Sequence, residues 1–251
     1  DTAGHSVCKN APAGYRAIIS SGSLAANSAT GIEACPNGTY STNGTGECVD
    51  VKNGRFGSID GYVHAMSGAT TEVNCPAGYY NLNGDGACSQ AQAGYVTTTT
   101  NPSSTTTAIT AVTSSGSVGA DTTTPAMYQT PCTAGYFKVH EGAGDCTAAP
   151  AGYCASTDGL ACSAATGTVA KFICPAGKYS ANGNGIVGST ACTDTPTGSC
   201  ASLDGSTCST AAGADTTHEC AAGKYSANGN DNVDSTACTD TPAGSCASLD
   251  G

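Results

Sequence analysis

The chain has no tryptophan, only three phenylalanines and little charge: Asp, Glu, Lys and Arg make up 11% of its 251 residues, against roughly 25% in ordinary globular domains. Large apolar side chains are too scarce for a conventional core. At about 25 cal/mol per Å² of buried apolar surface, burial alone would struggle against chain entropy. Basic residues are scarcer still. Eight Lys and Arg against nineteen Asp and Glu leave a net charge of −11, the wrong sign for a partner made of nucleic-acid phosphates. No apolar run approaches twenty residues, so no segment reads as a membrane-spanning helix. CxxC pairs, the usual mark of zinc ribbons and fingers, are absent. So is any constellation for catalysis. His5, His64, His140 and His218 are isolated in different parts of the chain, with no Ser/His/Asp or Cys/His arrangement around them. The expectation is a protein that is not an enzyme and carries no cofactor.

What the chain does have is sixteen cysteines and 34 glycines. Small units that lack an adequate core are commonly stapled by disulfides, which persist in oxidising compartments. An extracellular or cell-surface location follows as an expectation. No signal-peptide pattern is present, so that reading requires a leader that was removed or lies outside this sequence.

Self-similarity is the strongest signal. Residues 174–205 and 220–251 differ at five of 32 positions, with a 46-residue period. A short half-unit begins with a cysteine, followed by Gly at +3 and an aromatic at +5. It occurs at Cys35, Cys75, Cys132, Cys174 and Cys220, with Tyr40, Tyr80, Phe137, Tyr179 and Tyr225 as the aromatics. It closes at Cys48, Cys88, Cys146, Cys192 and Cys238. A long half-unit starts at that second cysteine, and also at Cys8, with Gly at +6 in every copy. From Cys146 onward it gains Cys154 and Cys162, then Cys200 and Cys208, then Cys246. The resulting organisation is a partial repeat over 1–34 and repeats over 35–74, 75–131 (with a Thr/Ser-rich insertion at 96–131), 132–173, 174–219 and a truncated 220–251.

A Pro-x-Gly step suits a turn, with Gly supplying a positive φ. The aromatic after it is the one large apolar group nearby and is expected to cap the disulfide. Asn-Gly follows at 43–44, 83–84, 182–183 and 228–229, a strong short-range hairpin signal. Each short half-unit therefore reads as a small β-hairpin closed by a disulfide, and the fold class as mainly β, disulfide-stapled hairpins in an elongated tandem array with little helix. Two pairing phases remain open. One closes each short half-unit on itself, pairing Cys35–Cys48, Cys75–Cys88, Cys132–Cys146, Cys174–Cys192 and Cys220–Cys238, with Cys154–Cys162 and Cys200–Cys208 as extra pairs and Cys8 and Cys246 unpaired or intermolecular. The other pairs Cys8–Cys35, Cys48–Cys75 and onward. The first is the more local closure and is favoured; a loop of about 15 residues gains roughly 3 kcal/mol in the chain-entropy view.

The CPxGxYS…NG…C unit resembles the cysteine-rich repeats called ephrin-receptor-like and the first loop of tumour necrosis factor receptor modules. In those families the first two cysteines of such a unit pair with each other, which implies the first phase here. The Thr/Ser/Ala/Gly-rich filler and weakly charged repeats resemble ciliate surface (immobilisation) antigens. The long cysteine-poor spacers and scarce charge depart from the receptor families.

Residues 96–131 interrupt the pattern with a Thr/Ser-rich stretch. Its composition suits an O-glycosylated stalk, while its β-branched alternation suits exposed strands; glycan-bearing strands are the expectation. N-glycosylation sequons stand at Asn37 and Asn43. Asn81, Asn83, Asp85 and Gly86 mimic the start of a calcium loop without its closing Glu, and turn chemistry explains them more readily. Asn230, Asp231, Asn232 and Asp234 could hold a weak calcium ion. Lys178 and Lys224, beside the aromatics, are expected to be solvated. The sequence starts and stops inside repeats, as a window of a longer array or a polymer subunit would. The functional expectation is a structural protein, a subunit of a glycosylated fibril or surface coat assembled head-to-tail with itself as partner. The rival is an adhesin or receptor-type ectodomain that uses the repeats as a rigid spacer.

Overall fold

A computed structural model describes residues 9–18, 29–43, 47–99, 125–181, 189–226 and 236–246. Among these there is no helix and there are twenty short strands, all in two-stranded antiparallel hairpins. Two kinds of hairpin alternate along the chain. The long half-units form four-residue pairs: β1 (Tyr15–Ile18) with β2 (Gly31–Ala34), β5 (Arg55–Ser58) with β6 (Thr71–Asn74), β9 (Tyr95–Thr98) with β10 (Tyr128–Pro131), β13 (Tyr153–Ser156) with β14 (Ala170–Ile173), and β17 (Ser199–Ser202) with β18 (Thr216–Glu219). The short half-units form two-residue pairs: β3 (Thr39–Tyr40) with β4 (Val49–Asp50), β7 (Tyr79–Tyr80) with β8 (Ser89–Gln90), β11 (Tyr136–Phe137) with β12 (Thr147–Ala148), β15 (Lys178–Tyr179) with β16 (Thr193–Asp194), and β19 (Lys224–Tyr225) with β20 (Thr239–Asp240). The described residues fall into two compact units. The first holds those up to 91 with 96–99 and 125–130, and the second holds 92–95 and those from 131 onward.

One local device starts every half-unit. The residue after each turn glycine donates its N–H to the carbonyl three residues back, as in Tyr15 to Pro12 at 3.1 Å and Tyr153 to Pro150 at 3.0 Å. The glycine between them has φ near +80°, 82° at Gly14 and 76° at Gly152. That is the third position of a type II turn, which an L side chain resists. Among the described residues each of these turns except the last, at Gly244, leads directly into a strand.

The long hairpins keep strict register, Arg55 to Asn74 through Ser58 to Thr71 in one and Tyr153 to Ile173 through Ser156 to Ala170 in another. The short ones correct the sequence expectation. Asn83-Gly84 is not a two-residue hairpin turn, because the loop between β7 and β8 spans 81–88. Asn81 organises that loop instead. Its side-chain oxygen accepts the N–H groups of Asn83 and Gly84, and its amide nitrogen donates to the carbonyls of Gly86 and Arg55. The glycines of the other three Asn-Gly pairs lie outside the described residues.

The interior follows from the composition. The largest side chains buried to under 2% exposure are threonine and cysteine, at Thr97, Thr168, Cys35, Cys75, Cys132, Cys154, Cys174 and Cys200. The rest of the core is mostly alanine and serine, such as Ala69, Ala126, Ala214, Ser58, Ser156 and Ser202. With side chains this small, backbones approach one another directly, and hydrogen bonds and disulfides do what apolar volume does in other folds.

Candidate functional site: a glycine seam between repeats

Successive half-units are joined by a recurring set of backbone hydrogen bonds. In the first unit, Gly14 donates to Ser41 at 2.8 Å and accepts from Cys35 at 2.8 Å. Gly68 donates to Cys35 at 2.7 Å, and Ser41 donates to Ala69 at 3.0 Å. A long half-unit, the short half-unit after it and the next long half-unit thus share one ladder. The second unit repeats it. Gly152 donates to Ser180 at 3.0 Å and accepts from Cys174 at 2.9 Å, Gly213 donates to Cys174 at 2.7 Å, and Ser180 donates to Ala214 at 3.0 Å. Gly94, Cys132, Gly167, Lys138 and Thr168 make the same four bonds, at 2.7 to 3.1 Å. Parallel bridges Tyr40–Ala69, Phe137–Thr168 and Tyr179–Ala214 extend the contact. Tyr40, Phe137 and Tyr179 therefore sit where backbone crosses from one repeat to the next.

No side chain fits at the seam glycines Gly14, Gly94 and Gly152. A Cβ on Gly14 would lie 2.3 Å from the carbonyl oxygen of Gly68; on Gly94, 2.2 Å from that of Gly167; and on Gly152, 2.2 Å from that of Gly213. Gly54 meets Pro125 instead, at 2.7 Å. Gly198 has a similar φ, +80°, and, among the described residues, nothing within 4 Å of such an atom.

A second device, which inspection of the cysteines passes over, braces the tips of the long hairpins. Ser-x-Asp-Gly occurs at 58–61, 156–159, 202–205 and 248–251, each time ten residues after the cysteine that opens the long half-unit. That fixed offset was a readable signal. In the three copies within the described residues, the buried serine hydroxyl accepts the glycine N–H at 2.8 to 3.0 Å. The aspartate carboxylate accepts the N–H two residues on, at 2.8 Å in Tyr62, Leu160 and Ser206. These amides favour the ionised form and lower the pKa of Asp60, Asp158 and Asp204, the last to about 2. Where the other half-units place serine or asparagine in the seam, Lys138 is buried, with its ammonium donating to Gly142 at 2.8 Å. Burial lowers its pKa, against a smaller opposing pull from Glu141.

Seven disulfides close the half-units: Cys35–Cys48, Cys75–Cys88, Cys132–Cys146, Cys174–Cys192 and Cys220–Cys238 in the short ones, and Cys154–Cys162 and Cys200–Cys208 in the long ones. Cys246 is an exposed free thiol. Cys8, His5, the insertion over 100–124 and the acidic cluster at 230–234 lie outside the described residues.

The remaining candidates are dispersed. Asn37 and Asn43 are both exposed. The Asn37 amide donates to the carbonyl of Asp85 at 2.7 Å, and its oxygen lies 3.0 Å from His64 Nε2. His218 Nδ1 lies 3.2 Å from the carbonyl of Gly205, and His140 is exposed. Lys178 and Lys224 are not simply solvated. Each faces an aspartate directly across a short hairpin, Lys178 with Asp194 and Lys224 with Asp240, the latter pair at 2.7 Å. The two-residue strands place these charges in register, which the linear sequence conceals.

No protein-family model matches the chain, and no curated protein is similar to it. Among the described residues, no helix is long and apolar enough to cross a membrane. The molecule is a cysteine-rich protein of disulfide-stapled hairpin repeats.

Proposed function

We propose that the chain is an extracellular structural protein, a subunit of a glycosylated fibril or cell-surface coat of the kind its resemblance to ciliate surface antigens implies. The glycine seam carries this reading. The geometry that recurs from repeat to repeat, at Gly14, Gly94 and Gly152, is the geometry by which repeats hold one another. A ligand site needs one distinctive surface, whereas a load-bearing array needs the same junction many times over. Seven disulfides in so small a core suit an oxidising exterior. Exposed Asn37 and Asn43 offer positions for glycans.

One observation favours the adhesin reading. The tip of the β5–β6 hairpin exposes Ile59, Tyr62, Val63 and Met66 at 61%, 86%, 65% and 72%, an apolar cluster absent from the corresponding tips at 157–164 and 203–210. Scattered exposed apolar residues are ordinary, but four on one braced loop suit a contact surface.

Electron microscopy of the native, unreduced protein separates the two. Regular filaments with a constant axial repeat support the structural reading. Isolated particles that bind a surface, with binding lost in Tyr62→Ser, would replace it with the adhesin.

A further inference from the structure

The two long half-units that carry extra cysteines place one disulfide against another. Cys162 Sγ lies 3.4 Å and Cys154 Sγ 3.9 Å from Cys192 Sγ, although Cys192 is bonded to Cys174. Forty-six residues on, Cys208 and Cys200 stand at the same 3.4 and 3.9 Å from Cys238. Disulfide sulfurs carry no hydrogen, so these are sulfur–sulfur contacts. In each cluster the outer sulfurs are half-exposed, Cys162 and Cys192 or Cys208 and Cys238, while Cys154 and Cys174, or Cys200 and Cys220 in part, lie beneath. The corresponding place in the β5–β6 hairpin holds Phe56 and His64, so exchange chemistry is confined to the later repeats.

We infer that each cluster is a thiol–disulfide exchange site that converts a bond within one repeat into a bond between two. A dithiol reductant opens Cys154–Cys162: its thiolate attacks the half-exposed Cys162 and displaces Cys154, and its second thiol then releases Cys162 while the reductant closes to its own cyclic disulfide. Two electrons have entered the protein. The Cys162 thiolate, already 3.4 Å from Cys192, attacks that sulfur. The Cys162–Cys192 bond forms, the Cys174–Cys192 bond breaks, and Cys174 leaves with the electron pair and takes up a proton. This second step consumes no oxidant or reductant. Before it, every disulfide among the described residues closes a loop inside one half-unit. After it, the tip of one long hairpin is bonded to the short half-unit of the next repeat. Cys208 and Cys238 do the same one period later.

The test uses the full chain carrying Cys246→Ser, which removes the exposed thiol as a competing nucleophile. The folded protein is treated with limiting dithiothreitol, quenched in acid, alkylated and digested with pepsin, and the bridged peptides are read by mass spectrometry. The expected product joins Cys162 to Cys192, or Cys208 to Cys238, with the label on Cys154 and Cys174, or on Cys200 and Cys220. Label on Cys154 together with Cys162, and no peptide bridging two repeats, overturns the proposal. A second variant needs no reductant. Cys154→Ser leaves Cys162 unpaired, and the bond is expected to move to Cys162–Cys192 with Cys174 labelled; Cys174–Cys192 intact with Cys162 labelled overturns it. Cys75–Cys88, which has no such neighbour among the described residues, serves as the internal control for non-specific scrambling.

Discussion

Phe56 and His64 stack edge to face, ring centroids 6.4 Å apart at 62°, at the place in the hairpin that Cys154 and Cys162 occupy four half-units later. The correspondence follows from register. Phe56 and Cys154 are both the second residue of the first strand of their hairpin, opposite Val73 and Phe172, and the Ser-x-Asp-Gly brace starts two residues after each. One geometry is thus held by an aromatic contact worth about 1 kcal/mol or by a covalent bond.

Their interchange is testable. The double variant Phe56→Cys, His64→Cys should form a disulfide, seen as the loss of two further hydrogens by intact mass. It should unfold at higher temperature than its own reduced form, by the order of 2 kcal/mol expected for closing a short loop. Two alkylatable thiols in the folded variant would show that the two hairpins are not equivalent.

The braces predict an acid limb in stability. In the unfolded chain an aspartate titrates near ~3.9. In the folded chain Asp204 titrates at about 2, and Asp60 and Asp158 are also lowered, each held by backbone N–H groups that prefer the carboxylate. A lowered folded pKa gives stability that is present above the unfolded value and is lost as pH falls through the folded one. Denaturant midpoints should therefore be insensitive to Asp204 protonation above pH 4 and should decline between about 4 and 2. Asp204→Asn should flatten part of that decline. Identical acid limbs in the two proteins would remove the brace as its cause.

Asn81 should be the most sensitive polar side chain in the first unit. Asn81→Ala leaves the carbonyls of Arg55 and Gly86 and the N–H groups of Asn83 and Gly84 without their partner. A loss of about 2 kcal/mol or more is expected by chemical denaturation. By contrast, Lys178→Ala, which removes an exposed pair with Asp194, should cost under about 1 kcal/mol.

Much of this architecture was legible because it is periodic. Cysteine and glycine spacing marks the half-units, and local closure points to the disulfide phase that the structure adopts. Three features were hidden for physical reasons. The long half-units read as spacers, since strands such as Ala170–Ile173 and Thr216–Glu219 carry no apolar alternation that would mark a buried face; they are held by backbone ladders around small side chains. The Asn-Gly pair at 83–84 looked like a tight turn because that dipeptide is a turn signal in isolation, but the buried Asn81 amide reshapes the loop. The seam itself depends on pairs such as Gly14 and Gly68, 54 residues apart, whose relationship exists only after the chain has folded. The glycine at +6 was visible in every copy, but its reason was not.

The most direct test of the account compares Gly152→Ala with Gly198→Ala. Both glycines sit at φ near +80°, 76° and 80°, so both substitutions carry the same left-handed penalty, about 1 kcal/mol. Only Gly152 faces the carbonyl of Gly213, where a Cβ would lie at 2.2 Å; at Gly198 no described residue lies within 4 Å of such an atom. If the repeats hold one another through the glycine seam, Gly152→Ala should cost about 3 kcal/mol or more. It should also open the amides of Gly213 and Ser180 to hydrogen exchange, while Gly198→Ala costs about 1 kcal/mol and leaves them protected. Equal losses in the two variants, with Gly213 and Ser180 protected in both, would contradict the seam.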